Sequence, residues 1–148
     1  MYQDNHILYQ EIVDILTAEM KCAESLFATT KEIQSLIDHD QYEQMKDRLA
    51  VRGEVFDMMI ALDRQMKTLI RERAPQADTD EWQAVKTMGM KLQELMISIM
   101  QMDKTNEHKL AEKQEIMKNE LFKLETGKKS VKAYTQAYSK TNSLETSG

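Results

Sequence analysis

The chain is 148 residues long, with 41% hydrophobic and 30% charged residues, four Gly and one Pro. That is enough apolar content for a core and too few turn formers for a β fold. The net charge of −5 is uneven, with 2 basic and 8 acidic groups in residues 1–40 against 4 and 1 in residues 127–148, and no basic block suits a phosphate backbone, which argues against nucleic acid as a partner.

Cys22 is the single cysteine, so neither an intrachain disulfide nor a cysteine-rich zinc site is expected. No apolar stretch approaches a signal-peptide core or a membrane span, and the expected location is cytoplasmic, without membrane insertion. Twelve Met beside three Phe and one Trp suit helices with adaptable apolar surfaces.

The first helix is expected from about Asp4 to Ile37. Two adjacent apolar tracks run along it at steps of three and four. One holds Leu8, Ile12, Ile15, Cys22, Leu26, Ile33 and Leu36, and the other Tyr9, Val13, Leu16, Met20, Ala23, Phe27 and Ile37. A stripe this wide fits a helix packed against two others, with Glu19 and Thr29 as gaps in it.

Asp38, His39 and Asp40 interrupt the pattern, and a second helix follows from about Gln41 to Ala74. Its track is Tyr42, Met45, Leu49, Phe56, Met59, Met66 and Ile70, with Arg52, Gly53 and Asp63 as defects. Gly53 costs about 1 kcal/mol in a helix interior, and Pro75 ends the helix.

Asp78 and Glu81 have the spacing of a capping box, so the third helix is expected over about 79–126. Trp82, Val85, Leu92, Met96, Ile99, Asn106, Leu110, Met117 and Leu124 form its track. It is about 70 Å long at 1.5 Å per residue, against about 50 Å for each of the others. Gly127 either caps it or lets it extend over 128–138, and a Ser/Thr-rich tail over 139–148 is expected to be disordered.

The expected fold is therefore all-α: an antiparallel, coiled-coil-like bundle of two helices of about 34 residues and one much longer C-terminal helix, forming one domain over 1–138. Short connections impose an up-down-up order, and the stretch after Lys113 then has no partner helix in its own chain. Ile116, Met117, Leu121, Phe122, Leu124, Val131, Tyr134 and Tyr138 continue the apolar pattern into it. An apolar stripe left in water is usually an interaction surface.

Catalytic machinery is hard to find. The residues three before His6, His39 and His108 are Gln3, Leu36 and Thr105, so the Glu-x-x-His pairs of di-iron bundles are missing. His108 with Glu112 supplies two ligands, which do not make a metal site. The four glycines are scattered and form no phosphate loop. Cys22 sits on the apolar stripe and reads as a small buried hydrophobe. No enzyme activity, catalytic residue, cofactor or metal is expected. Asp103 and Asn106 interrupt the long track and read either as a polar layer that fixes register or as a hinge.

Several of these residues carry a family resemblance. Leu49, Arg52, Leu62 and Arg64 lie along the second helix and Asp103, Asn106 and Leu110 along the third. The ending is Leu124, Gly127, Lys128, Val131, Lys132, Ala133 and Tyr134. Together they resemble the FlgN-type flagellar export chaperones, over about residues 8–138. The D-x-x-N step and the Gly-to-Tyr ending are the distinctive parts.

The resemblance implies a cytoplasmic chaperone. It would bind the C-terminal amphipathic helices of hook-filament junction proteins, prevent their early assembly and deliver them to the flagellar type III export gate. Carried onto this chain it implies client binding by Ile116, Met117, Leu121, Leu124, Val131 and Tyr134, and allows Tyr134 a role at the export gate. Tyr138 and the Ser/Thr-rich tail depart from the family ending. Two alternatives stand beside this reading: a FliT-type chaperone of the filament cap protein, and a structural coiled-coil homodimer that needs no client.

Overall fold

A computed structural model describes the backbone over residues 2–73 and 80–141, and the side chains over 6–73 and 80–123. The described residues form three α-helices: α1 (Tyr2–Asp38), α2 (Tyr42–Arg73) and α3 (Asp80–Thr141). The fold is all-α, as the periodicity predicts. Their lengths of 37, 32 and 62 residues exaggerate the expected mismatch.

Most of the difference lies at the end of α3. Of the two outcomes open at Gly127 the helix takes the extension, continuing through it and past residue 138 to Thr141. One glycine costs about 1 kcal/mol in a helix, and good helix formers such as Lys128, Lys129 and Ala133 follow it. Of the tail expected to be disordered from Ser139, the first three residues are helical, and 142–148 lie outside the described residues. Pro75 and Asp78, read as helix stop and cap, also lie outside them. Asp80 and Glu81 occupy the first turn of α3, where acidic side chains complement the helix dipole.

The α1–α2 connection has a defined geometry. Gln41 N–H donates to the Leu36 carbonyl at 2.8 Å and Asp40 N–H to the Ile37 carbonyl at 3.1 Å. These are the two bonds of a Schellman cap, which requires a left-handed residue at the position of Asp40. Asp40 indeed has φ of 57°, and the Tyr42 hydroxyl donates to its carboxylate at 2.9 Å. The polar interruption in the sequence is thus a tight reversal.

The chain divides into two compact units, residues 1–107 and 108–148. In the first unit, Glu11–Arg73 at 3.1 Å and Glu32–Arg48 at 3.0 Å pair opposite ends of α1 and α2, making them antiparallel. His6 meets Glu81 at 3.5 Å, so α3 starts beside the start of α1. The up-down-up order follows.

Burial is concentrated on α1. Its residues Leu8, Ile12, Ile15, Leu16, Cys22, Ala23, Leu26, Ile33 and Ile37 are buried, whereas among the described residues α2 buries only Met66 and α3 only Val85 and Ile99 among their apolar side chains. One cluster joins Leu8, Ile12, Ile15 and Leu16 to Met66 and Val85, with Leu62, Trp82 and Leu92 packed around it. The wide α1 stripe accounts for this, because it is faced by both other helices. The α2 track is correspondingly less buried than its spacing suggests, and Leu49 is exposed.

The second unit is described as helix up to Thr141. Its apolar side chains Ile116, Met117, Leu121 and Phe122 are exposed.

Candidate functional site

The first unit contains an open groove between α2 and α3. Phe56, Met59 and Ile60 line one side, Gly89, Leu92 and Met96 the other, and its volume is about 520 Å³. The two walls span three turns of α2 and two of α3. Helix α1 contributes one lining residue, Glu19.

Glu19 is the unusual group here. It is only 5% exposed, and its Oε1 finds no hydrogen-bond partner among the described residues. Burial, seconded by the neighbouring Asp63 carboxylate and opposed by Lys67, raises its pKa above the ordinary carboxylate value. Asp63 is itself paired with Lys67 at 2.8 Å, and that pair raises the Lys67 pKa. Desolvation of an unpaired carboxylate is the dominant physical cause at Glu19.

Near one end of the groove, three helices share a polar clasp. Arg52 of α2 pairs with Asp103 of α3, its Nε donates to the Thr30 hydroxyl of α1 at 3.3 Å, and its guanidinium lies over the Phe56 ring at 4.8 Å. Thr30 is fully buried and donates to the Leu26 carbonyl at 2.6 Å. Arg52 and Asp103, which interrupt the apolar tracks of two helices in the sequence, thus meet in space, joined by Thr30 rather than by the Thr29 read as a gap in the first helix. Asn106, one turn beyond Asp103, is buried with its Oδ1 unpartnered among the described residues, and the unit boundary follows Glu107.

Comparison of the chain with protein-family models, curated proteins and solved structures finds no match. Function therefore has to be argued from the residues themselves.

Of the residues that the resemblance implicates in client binding, Ile116, Met117 and Leu121 are 55%, 54% and 57% exposed, and neighbouring Phe122 is 69% exposed. The side chains of Leu124, Val131 and Tyr134 lie outside the described residues. His108 and Glu112 pair at 3.1 Å on the helix surface, and among the described residues no cluster of three metal-ligating groups occurs. No described helix is long and apolar enough to cross a membrane. Cys22 is buried and borders an apolar hollow of about 430 Å³ with Ala18, Met58 and Leu62.

The reading of Glu19 as a gap in the α1 stripe misses this groove. A signal exists in the sequence: Ile12, Ile15, Glu19, Cys22 and Leu26 follow steps of three, four, three and four, which puts Glu19 on the inner face. Thr30 has the same inner spacing from Leu26 and Ile33. The structure, not the pattern, shows that a second wall exists beside Glu19.

Proposed function

We propose that this chain is a non-catalytic chaperone that binds amphipathic helices through the distal part of α3. The carrying observation is the cluster of Ile116, Met117, Leu121 and Phe122, each more than half exposed. Met117 and Leu121, at i and i+4, share one face and form a ridge, with Ile116 and Phe122 to either side of it, the form that a guest helix covers in helix-in-groove recognition. An apolar patch of this kind on a surface favours a protein partner.

The sequence resemblance supplies the identity of the guest: the C-terminal helices of hook-filament junction proteins, handed over at the flagellar export gate in the cytoplasm, with Leu124, Val131 and Tyr134 extending the ridge. Binding must be reversible for hand-over, and an interface of standard size, about 1,600 Å² in total, allows micromolar as well as tighter affinities.

Titration of the full chain with a junction-protein C-terminal peptide is the direct test. Met117→Asp with Leu121→Asp is expected to abolish binding and leave the circular dichroism spectrum unchanged. Retained binding would refute the proposal. A preference for the filament cap protein's C-terminal peptide would move the chain to the FliT-type alternative. Light scattering that shows a tight dimer surviving dilution to nanomolar protein, and dissociated by the same pair of substitutions, would assign the ridge to a second copy instead.

A further inference from the structure

The groove between α2 and α3 belongs to the first unit and has a chemistry of its own. Its walls are apolar, with Phe56, Met59, Leu92 and Met96, while the buried Glu19 presents an oxygen that nothing described satisfies. Asp63, Arg64 and Lys67 of α2 are the other charged groups on the groove, and the lining residues of α3 are uncharged. Lys67 is bonded to Asp63 and acts on Glu19 only through space, so Glu19 Oε1 is left without a bonded partner among the described residues.

The shape points to a helix rather than a small molecule. Small-molecule sites enclose most of their ligand, whereas Ile60 on this groove is 49% exposed. The α2 wall from Phe56 to Lys67 spans about 16 Å at 1.5 Å per residue, roughly three turns. Met100, one turn past Met96 on α3, is also exposed. Two helices resting on α1 leave the position that a fourth helix fills in a four-helix bundle.

We infer that the α2–α3 groove docks an amphipathic helix of a partner protein which carries a lysine or arginine within its apolar stripe, and that this cation pairs with Glu19. An apolar guest without the cation would leave Glu19, already shut off from water, still unpaired, and a guest acid would add repulsion. A buried group missing its partner discriminates more strongly than apolar contact does. The raised pKa of Glu19 agrees, since burial and the neighbouring Asp63 outweigh the partial relief from Lys67 and leave the charged form short of stabilisation.

Three synthetic Leu/Ala-based helical peptides of about 18 residues, long enough to span the groove, are the probes. They differ at one central position of the apolar stripe, which is Lys, Met or Glu. Calorimetric titration of the full chain at about pH 8 is expected to give binding about tenfold or more tighter for the Lys peptide than for the Met peptide, as for a charge-assisted bond, and weakest for the Glu peptide.

Glu19→Gln is expected to reduce the Lys preference to about twofold or less. Gly89→Trp fills the groove, since a Cβ at Gly89 meets nothing within 4 Å. It is expected to weaken the Lys peptide about tenfold or more at unchanged helicity. Met117→Asp with Leu121→Asp is expected to leave the Lys preference intact, which separates this site from the distal ridge.

No binding of any peptide, equal binding of the Lys and Met peptides, a preference that survives Glu19→Gln, or indifference to Gly89→Trp would each overturn the inference. So would self-association of the free protein that Gly89→Trp abolishes, because the occupant would then be a second copy.

Discussion

The Arg52 guanidinium of α2 pairs with the Asp103 carboxylate of α3, 51 residues away in the chain, with the two side chains 15% and 31% exposed. Arg52 also reaches Thr30 of α1 and covers the Phe56 ring. A planar cation with several fixed donors can hold three helices in register in a way that lysine cannot.

The coupling between the two residues is intermediate between that of exposed and of buried pairs. Exposed pairs contribute about 0–1 kcal/mol, and breaking a buried one costs about 3–5 kcal/mol. Arg52→Ala and Asp103→Ala are each expected to destabilise by about 1–2 kcal/mol, with a coupling of about 1 kcal/mol in a double-mutant cycle followed by urea unfolding. Strictly additive effects would show that the pair is geometrically close but energetically idle.

Glu19 makes stability depend on pH in a defined direction. Its folded pKa lies above the ordinary value of 4.5, so the native state holds a proton that the unfolded chain has released in the window between the two values. Stability contributed by the protonated form is full below about 4.5 and is lost as pH rises through the folded pKa. Glu19→Gln is therefore expected to be more stable than the parent by about 1 kcal/mol at about pH 8, with the gap closing below about pH 4.5. Urea denaturation across that range measures it. A parent that gained stability relative to Glu19→Gln on raising the pH would show the opposite linkage.

Asp40 stands in the left-handed region at φ 57°, where a Cβ costs about 1–2 kcal/mol. Asp40→Gly is expected to relieve that strain and to lose the Tyr42 hydrogen bond to the carboxylate. The net gain is then about 0.5 kcal/mol, since a typical hydrogen bond is worth about 1 kcal/mol. Asp40→Ala keeps the strain and loses the bond, and is expected to lower thermal stability. The order Gly, Asp, Ala in melting temperature is the measurable outcome.

Ile12 and Leu121 are both apolar helix residues on sequence grounds, and their burial is opposite. Ile12 is fully buried and Leu121 is 57% exposed. Ile12→Ala is expected to cost about 2–5 kcal/mol, whereas Leu121→Ala stays within about 0.5 kcal/mol. Chemical denaturation of the two variants checks the contrast, and a destabilisation of several kcal/mol by Leu121→Ala would place that residue in a core.

The sequence by itself determined the helical class, the three elements, the reversal at 38–40 and the unusual length of the last helix. These are local consequences of three-four apolar spacing and of scarce Gly and Pro, and periodicity expresses them directly. It also marked Arg52, Asp103 and Asn106 as departures from their tracks. It left open whether the last helix ends at Gly127 or runs through it, because one weak helix former among good ones is compatible with either.

Only the tertiary structure decided what those departures do. Whether a polar residue on an apolar track is a defect, a clasp or the chemistry of a groove depends on which neighbouring helix stands opposite it. Arg52 found Asp103 and Thr30, whereas Glu19 found an apolar groove and, among the described residues, no partner for its Oε1. Periodicity places a side chain on a face of its own helix, but burial and pairing come from the distance to the next helix.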